Sequence, residues 1–180
     1  MDVFNCANKC CKILINSEIS DDKYYNNKLR KFKAGVFIYD PQKHKILLVQ
    51  SNGNLWGPPK GTLKYAETYK ECAIREVREE SGININGNLF SKLLHIIDNN
   101  IIYFYMEYPT CEVTIHNHLE DINDINDSTG LMWIRPDCLE QLIYSGQVKI
   151  TKHTYLLFYK FLSILLPFKK FPRNYYHYNS

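Results

Sequence analysis

Apolar residues along this chain gather in short runs separated by turn formers. Ala34 to Tyr39 (AGVFIY) predicts a strand, Asp40-Pro41 opens a turn, and Ile46 to Gln50 (ILLVQ) predicts its hairpin partner. Leu89 to Ile97 and Ile101 to Met106 flank Asp98-Asn99-Asn100 and predict a second hairpin. Further strands are expected over Cys111 to Ile115 and Leu131 to Ile134. Between the hairpins the apolar spacing changes: Tyr69, Cys72, Ala73, Ile74 and Val77 predict a helix from about Glu67 to Glu80, stopped by Gly82. Pro136 can start a short helix over Asp137 to Ile143. Thr151 can cap a final helix through Leu166, which Pro167 ends.

The remaining stretches are polar or Gly/Pro-rich. Lys12 to Ile15 (KILI) is a candidate short strand in an otherwise ambiguous start, and Ser17 to Arg30 reads as a linker. Ser51 to Lys60 reads as a loop, as does the acidic, Asn-rich stretch from Asn117 to Thr129. The expected organisation is an irregular N-terminal segment (1–32), one domain (33–167) and a basic aromatic tail (168–180). Several strands interrupted by one long helix and closed by C-terminal helices predict the α/β (α+β) class, a mixed sheet with helices on its faces.

The predicted central helix carries unusual charge. Glu76, Glu79 and Glu80 stand at i, i+3 and i+4 and share a face, where like charges cost helix stability. Such a cluster calls for something positive between the carboxylates. Hard divalent cations such as Mg²⁺ or Mn²⁺ favour carboxylate oxygens and bring water and phosphate oxygens as further ligands.

The whole stretch reads GTLKYAETYKECAIREVREESGI. It matches the Nudix box without a gap: Gly61, Glu67, Arg75-Glu76, Val77, Glu79-Glu80, Gly82 and Ile83. Seven fixed letters at a background of ~0.06 each make chance a poor explanation. The chain is therefore identified as a member of the Nudix superfamily. The resemblance implies an α/β/α sandwich and a metal-dependent hydrolase that cleaves a pyrophosphate joined to another moiety. It implies Glu76, Glu79 and Glu80 as metal ligands, with the Lys60 carbonyl as a further candidate. Arg75 is expected to orient a motif glutamate, and Glu67 to fix the loop to the helix. The general base is sought among Glu120, Asp124 and Asp127 on the acidic loop. Nudix domains that only bind nucleotide or RNA form the alternative class; they usually lose motif glutamates, and this chain keeps all four.

For the substrate, Leu55-Trp56-Gly57-Pro58-Pro59-Lys60-Gly61 resembles the entry to the box in mRNA-decapping catalytic domains. Pro58 replaces their Phe, and the P-P-K-G form is shared with diadenosine tetraphosphate hydrolases. Trp56 is a candidate to stack a purine and Lys60 to contact substrate.

Charge distribution sharpens this picture. The net charge is +3. From Gln141 onward there is no Asp or Glu, but Lys149, Lys152, Lys160, Lys169, Lys170 and Arg173 are present, the first three expected on the final helix. Between Lys92 and Arg135 the sign reverses, with acids at Asp98, Glu107, Glu112, Glu120, Asp121, Asp124 and Asp127. An acidic metal-holding side and a basic tail suit a large polyanion. Lys169, Lys170 and Arg173, interleaved with Tyr175 and Tyr176, are candidate RNA contacts; Tyr155, Phe158, Phe161 and Leu165 are assigned to docking the helix on the sheet. Capped RNA is the first expectation, giving 7-methylguanosine diphosphate; a dinucleoside polyphosphate or a diphosphoinositol polyphosphate follows.

The six cysteines read as reduced thiols of a cytoplasmic protein, because MDVFNCANKCCK lacks the apolar run of a signal peptide. Cys6, Cys10 and Cys11 lack a paired C-x-x-C spacing and have no nearby histidine, which points away from zinc. Cys72 is expected to be a small buried residue. The apolar stretch Tyr155 to Phe168 is too short to span a bilayer and is interrupted by Lys160. Oligomeric state is left open.

Overall fold

The computed structural model describes residues 2–15, 32–51, 55–90, 92–96, 100–111 and 130–165. These residues form a mixed sheet between two helical layers. In chain order the strands are β1 (Asp2–Asn5), β2 (Lys12–Ile15), β3 (Lys33–Asp40), β4 (Lys45–Ser51), β5 (Leu55–Gly57), β6 (Lys60–Thr62), β7 (Lys92–Ile96), β8 (Ile101–Glu107), β9 (Gly130–Ile134) and β10 (Lys149–Ile150). The helices are α1 (Tyr69–Ser81), between β6 and β7, α2 (Pro136–Tyr144) after β9, and α3 (Lys152–Leu165) after β10. The main path runs β1-β2-β9-β4-β3-β8-β7. β3 and β8 are parallel along their length, from Lys33↔Ile101 to Tyr39↔Glu107.

Both faces of the sheet are covered, which explains why its central strands are apolar without strict alternation. On one face Ala34, Val36, Ile38, Leu47, Val49, Leu131 and Trp133 pack against Cys72, Ala73 and Val77 of α1. On the other, Phe37, Tyr39, Ile46, Leu48, Met132 and Ile134 pack with Cys138, Leu139 and Leu142 of α2 and Leu157 and Phe158 of α3. Phe37 and Phe158 meet edge to face at 5.8 Å. Among the α3 side chains described, Thr154, Leu157 and Phe158 are buried and Tyr155 is half-buried, while the expected docking residues Phe161 and Leu165 lie outside them. Thr151 does cap the helix, accepting from the Thr154 amide at 3.2 Å, and Pro136 stands in the first turn of α2.

Three expectations change. The N-terminal segment is not irregular throughout: β1 and β2 form an antiparallel hairpin, and β2 pairs with β9 through Ile13↔Met132 and Leu14↔Leu131. Partner strands, not the local sequence, stabilise this short hairpin. The stretch from Ser51 to Lys60 is not all loop. The β3–β4 hairpin is paired only at its turn end, Tyr39↔Ile46 and Asp40↔Lys45. Beyond that it splays, β5 pairing with β4 and β6 with β3. Lys149 lies in β10, parallel to β5, and not on the final helix. The expected strand over Cys111 to Ile115 and the acidic loop lie outside the described residues apart from Cys111, which is in neither helix nor strand. Among the described residues no helix is long and apolar enough to cross a membrane.

Candidate active site

The site is built where the splayed hairpin meets α1. Thr68 caps that helix with a reciprocal box: the Glu71 amide donates to Thr68 Oγ1 at 3.2 Å, and the Thr68 amide donates to Glu71 Oε2 at 2.9 Å. Gly82 ends the helix at φ 71°, a left-handed conformation suited to glycine. The rotation of α1 about its axis is fixed by burying Cys72, Ala73 and Val77 against the sheet. That rotation also carries Glu76 and Glu80 inward, to 9% and 8% exposure. The apolar and acidic stripes are thus adjacent rather than opposed, and the two carboxylates enter a cleft against β6.

Backbone from β6 closes around them. The Lys60 amide donates to Glu80 Oε2 at 2.8 Å. At Gly61 an added Cβ would collide with the Glu76 carboxylate. Any side chain here would have to displace that carboxylate from its place beside Arg75. Cys72 Sγ lies 3.6 Å from the Gly61 carbonyl, and burial pushes its thiol up to about 12, with Glu67 and Glu76 adding to the effect. It is the small buried residue expected.

Arg75 organises the carboxylates. Its Nε and Nη2 donate to Glu67 Oε1 and Oε2 at 2.7 and 2.8 Å, a bidentate pair. Its Nη1 donates to Glu76 Oε1 at 2.6 Å and Glu79 Oε2 at 2.8 Å. Nη2 also reaches the Thr62 carbonyl at 3.0 Å. The hydrogen bonds from Arg75 hold the Glu67 carboxyl down at about 2, and Glu67 in turn raises the proton affinity of Arg75. Glu67 also accepts from the Lys64 amide at 2.8 Å. It ties the loop to the helix. Burial pushes the Glu76 carboxyl upward, with Arg75 opposing.

The donor set suits a hard divalent cation: buried carboxylate oxygens beside a strand backbone, with a desolvated charge on Glu76 that a dication would relieve. Among the described residues these glutamates do not draw three ligand oxygens within 4.8 Å of one another. Arg75 Nη1 anchors Glu76 and Glu79, and the Lys60 amide anchors Glu80.

The structure brings together Lys60, Arg75, Glu76, Glu79 and Glu80. It does not bring Trp56 to them as a stacking platform. Trp56 is 1% exposed and sits in the core face under α2 and α3, its carbonyl accepting from Thr154 Oγ1 at 3.3 Å. A ring enclosed on both faces offers nothing to a base, so that expectation is corrected. Glu120, Asp124, Asp127, Lys169, Lys170 and Arg173 lie outside the described residues. Tyr103 escaped the sequence reading. Its ring lies beside Gly35 under Lys60, and its buried hydroxyl has no hydrogen-bond partner among the described residues. Burial raises its proton affinity, and the Glu80 charge adds to this. An aromatic within the apolar run from Ile101 to Met106 carries no signal of that position.

A mixed sheet between helical layers, with an arginine-centred carboxylate cluster where α1 meets β6, is the arrangement the Nudix resemblance implies. The NUDIX domain profile matches residues 29–153, and the chain belongs to the Nudix family. It is 33% identical over 145 residues to putative hydrolase 111R of Invertebrate iridescent virus 3, covering 77% of this chain and 80% of that one. It is 33% identical over 89 residues to the m7GpppN-mRNA hydrolase dcap-2 of Caenorhabditis elegans, a match that spans 44% of this chain but 11% of the longer relative. The fold resembles that of a Francisella tularensis bifunctional NMN adenylyltransferase/ADP ribose pyrophosphatase complexed with AMP and manganese, at TM-score 0.53 and 19% identity, over 78% of this chain and 43% of that one. The chain is a Nudix pyrophosphohydrolase.

Proposed function

We propose that this chain removes the cap from RNA by hydrolysing its pyrophosphate linkage, releasing 7-methylguanosine diphosphate. The observation that carries the hydrolytic part is the Arg75-held carboxylate cluster at β6. The capped substrate is supported by the match to the nematode mRNA hydrolase, the Trp56-Gly57 and Lys60-Gly61 pairs before the box, and the basic residues after Gln141. Glu76 and Glu80 would hold Mg²⁺ or Mn²⁺, with Glu79 and the Lys60 carbonyl as further ligands. Such ions neutralise phosphate charge and activate the attacking water. Arg75 fixes the rotamers of Glu76 and Glu79, so little reorganisation is left for the reaction itself. The Lys60 amide fixes Glu80, and the Lys60 side chain contacts substrate in this reading. A carboxylate among Glu120, Asp124 and Asp127 takes the proton from water. Lys169, Lys170 and Arg173 contact the RNA body.

The Pro58-Pro59-Lys60-Gly61 sequence favours one second reading, a dinucleoside polyphosphate substrate. A diphosphoinositol polyphosphate is the remaining member of the expected set. The test is product release from cap-labelled RNA, run beside free cap dinucleotide, diadenosine tetraphosphate and a diphosphoinositol, with Mg²⁺ or Mn²⁺ and with chelator. Metal-dependent release of 7-methylguanosine diphosphate from long RNA, lost by a factor on the order of 100 in Glu80→Gln, is expected. Cleavage of diadenosine tetraphosphate but not of capped RNA would replace the decapping reading with the second one. Turnover that survives Glu80→Gln would remove the metal assignment.

A further inference from the structure

We propose that Cys6, Cys10, Cys11 and Cys138 form a structural zinc site that fastens the N-terminal hairpin to α2. Their four sulfurs all lie within 4.8 Å of one another. Cys10 Sγ is central, 3.5 Å from Cys6, 3.5 Å from Cys11 and 3.4 Å from Cys138. Tetrahedral Zn²⁺ with thiolates at ~2.3 Å sets its sulfurs ~3.8 Å apart, so the cluster needs only a small expansion to take the ion. All four are free thiols. Thiols are weak donors and weak acceptors, and S–H···S contacts alone give little reason for four of them to converge. A cation that prefers soft sulfur ligands does, and a tetrahedral sulfur set selects zinc among redox-inert ions.

Backbone and neighbouring side chains hold the four cysteines in place. Cys6 and Cys10 are held by the tight turn between β1 and β2: the Lys9 amide donates to the Cys6 carbonyl at 2.8 Å, the Cys6 amide to the Cys11 carbonyl at 3.1 Å, and Lys9 takes a positive φ of 54°. The Arg135 amide points at Cys11 Sγ at 3.4 Å, the kind of outer hydrogen bond that orients a ligand. Cys138 is the third residue of α2, so the first turn of that helix fixes its position beside the hairpin. The Lys45 ammonium donates to the Cys10 carbonyl at 2.6 Å, bringing positive charge beside a set whose zinc complex carries two negative charges. Binding exchanges the S–H protons for one Zn²⁺ and releases them to solvent.

The site is separate from the catalytic one. Its cysteines belong to the core face under α2 and α3, whereas α1 packs on the other face of the sheet. Sequence spacing hid it because the fourth ligand comes from Cys138, 128 positions beyond Cys10.

The test is the metal content of the full chain, purified under reducing conditions from zinc-replete cells. About one zinc per chain is expected by mass spectrometry of the elements, retained after magnesium and manganese are washed away. Replacement by Co²⁺ should give sulfur-to-cobalt charge-transfer absorption and tetrahedral d–d bands. The double variant Cys10→Ser, Cys138→Ser should lose the zinc, while Cys111→Ser and Glu80→Gln keep it. Zinc absent from the wild-type chain, zinc retained by the double variant, or pairing of these cysteines as disulfides in the reduced preparation would each overturn the proposal. If the double variant does not fold, the wild-type zinc count and cobalt spectrum still decide.

Discussion

Arg75 is the residue on which most of the site's geometry rests. It is 16% exposed and binds Glu67, Glu76 and Glu79 at once. A lysine has one ammonium in place of a planar fork and cannot satisfy the bidentate pair. Arg75→Lys should therefore leave buried carboxylates short of a partner, costing about 3 kcal/mol in denaturant melts and lowering turnover. Unchanged stability would mean that the carboxylates relax into water instead. Asp40 is a second buried anion with a different task. It closes the β3–β4 turn, accepting from the Gln42 and Lys43 amides and from the amide and hydroxyl of Thr110. Burial alone would raise its pKa, but these four hydrogen bonds outweigh burial and hold it at about 2. A depressed carboxylate contributes stability that is present above its unfolded value of about 3.9 and is lost as pH falls toward 2. The stability gap between wild type and Asp40→Asn should be widest near pH 6 and narrow steadily below pH 4 in chemical denaturation. A gap that does not change with pH would assign the effect to shape rather than charge.

At the scale of elements, α1 was the most legible part of the chain. Its periodicity, its capping residues and its closing glycine lie within a short window, so local physics places it. The expected bounds, Glu67 to Glu80, differ from the observed Tyr69–Ser81 by a residue or two at each end. Thr68→Ala should cost about 1 kcal/mol, the usual value of a helix cap, with little change in chemistry. Gly61→Ala should do the reverse. It drives a methyl into the Glu76 carboxylate, and either the strand or the glutamate must move. Activity should fall further than the melting temperature does, and equal losses in both would indicate a general loosening of β6. The short strands were not legible. β5, β6 and β10 are two or three residues long, and no local pattern marks them. They exist because a splayed hairpin leaves unpaired backbone that neighbouring segments satisfy.

For the whole molecule, the N-terminal hairpin carries a consequence. β2 covers the outer side of β9, which on its other side pairs with β4. Deleting residues 2–15 would turn a central apolar strand into an exposed edge, a template for association. The truncated chain should elute as larger species at rising concentration in size-exclusion chromatography, and a truncated chain that behaves as the intact one does would show that the edge is otherwise covered. The same hairpin accounts for four buried core residues, Cys6, Cys11 and Ile13 on one face of the sheet and Leu14 on the other. Residues 2–15 therefore belong to the sheet of the domain rather than to an irregular segment before it.

By itself the sequence determined the identity of the chemistry. The order Gly61, Glu67, Arg75, Glu76, Glu79, Glu80, Gly82 falls within one short stretch from β6 to the end of α1, and a motif so local needs no distant partner to be read. Apolar runs, turn residues and capping residues likewise placed β3, β4, the β7–β8 hairpin, β9 and the two later helices. Tertiary structure decided what depends on separation in the chain. It turned Glu76 and Glu80 inward, because the same rotation that buries Cys72 and Val77 leaves them no other direction. It buried Trp56, whose aromatic ring is equally suited to a core or a ligand until its neighbours are known. And it brought Cys138 to Cys6, Cys10 and Cys11, a meeting that spacing along the chain cannot encode because sheet order, not sequence order, sets which turns become neighbours.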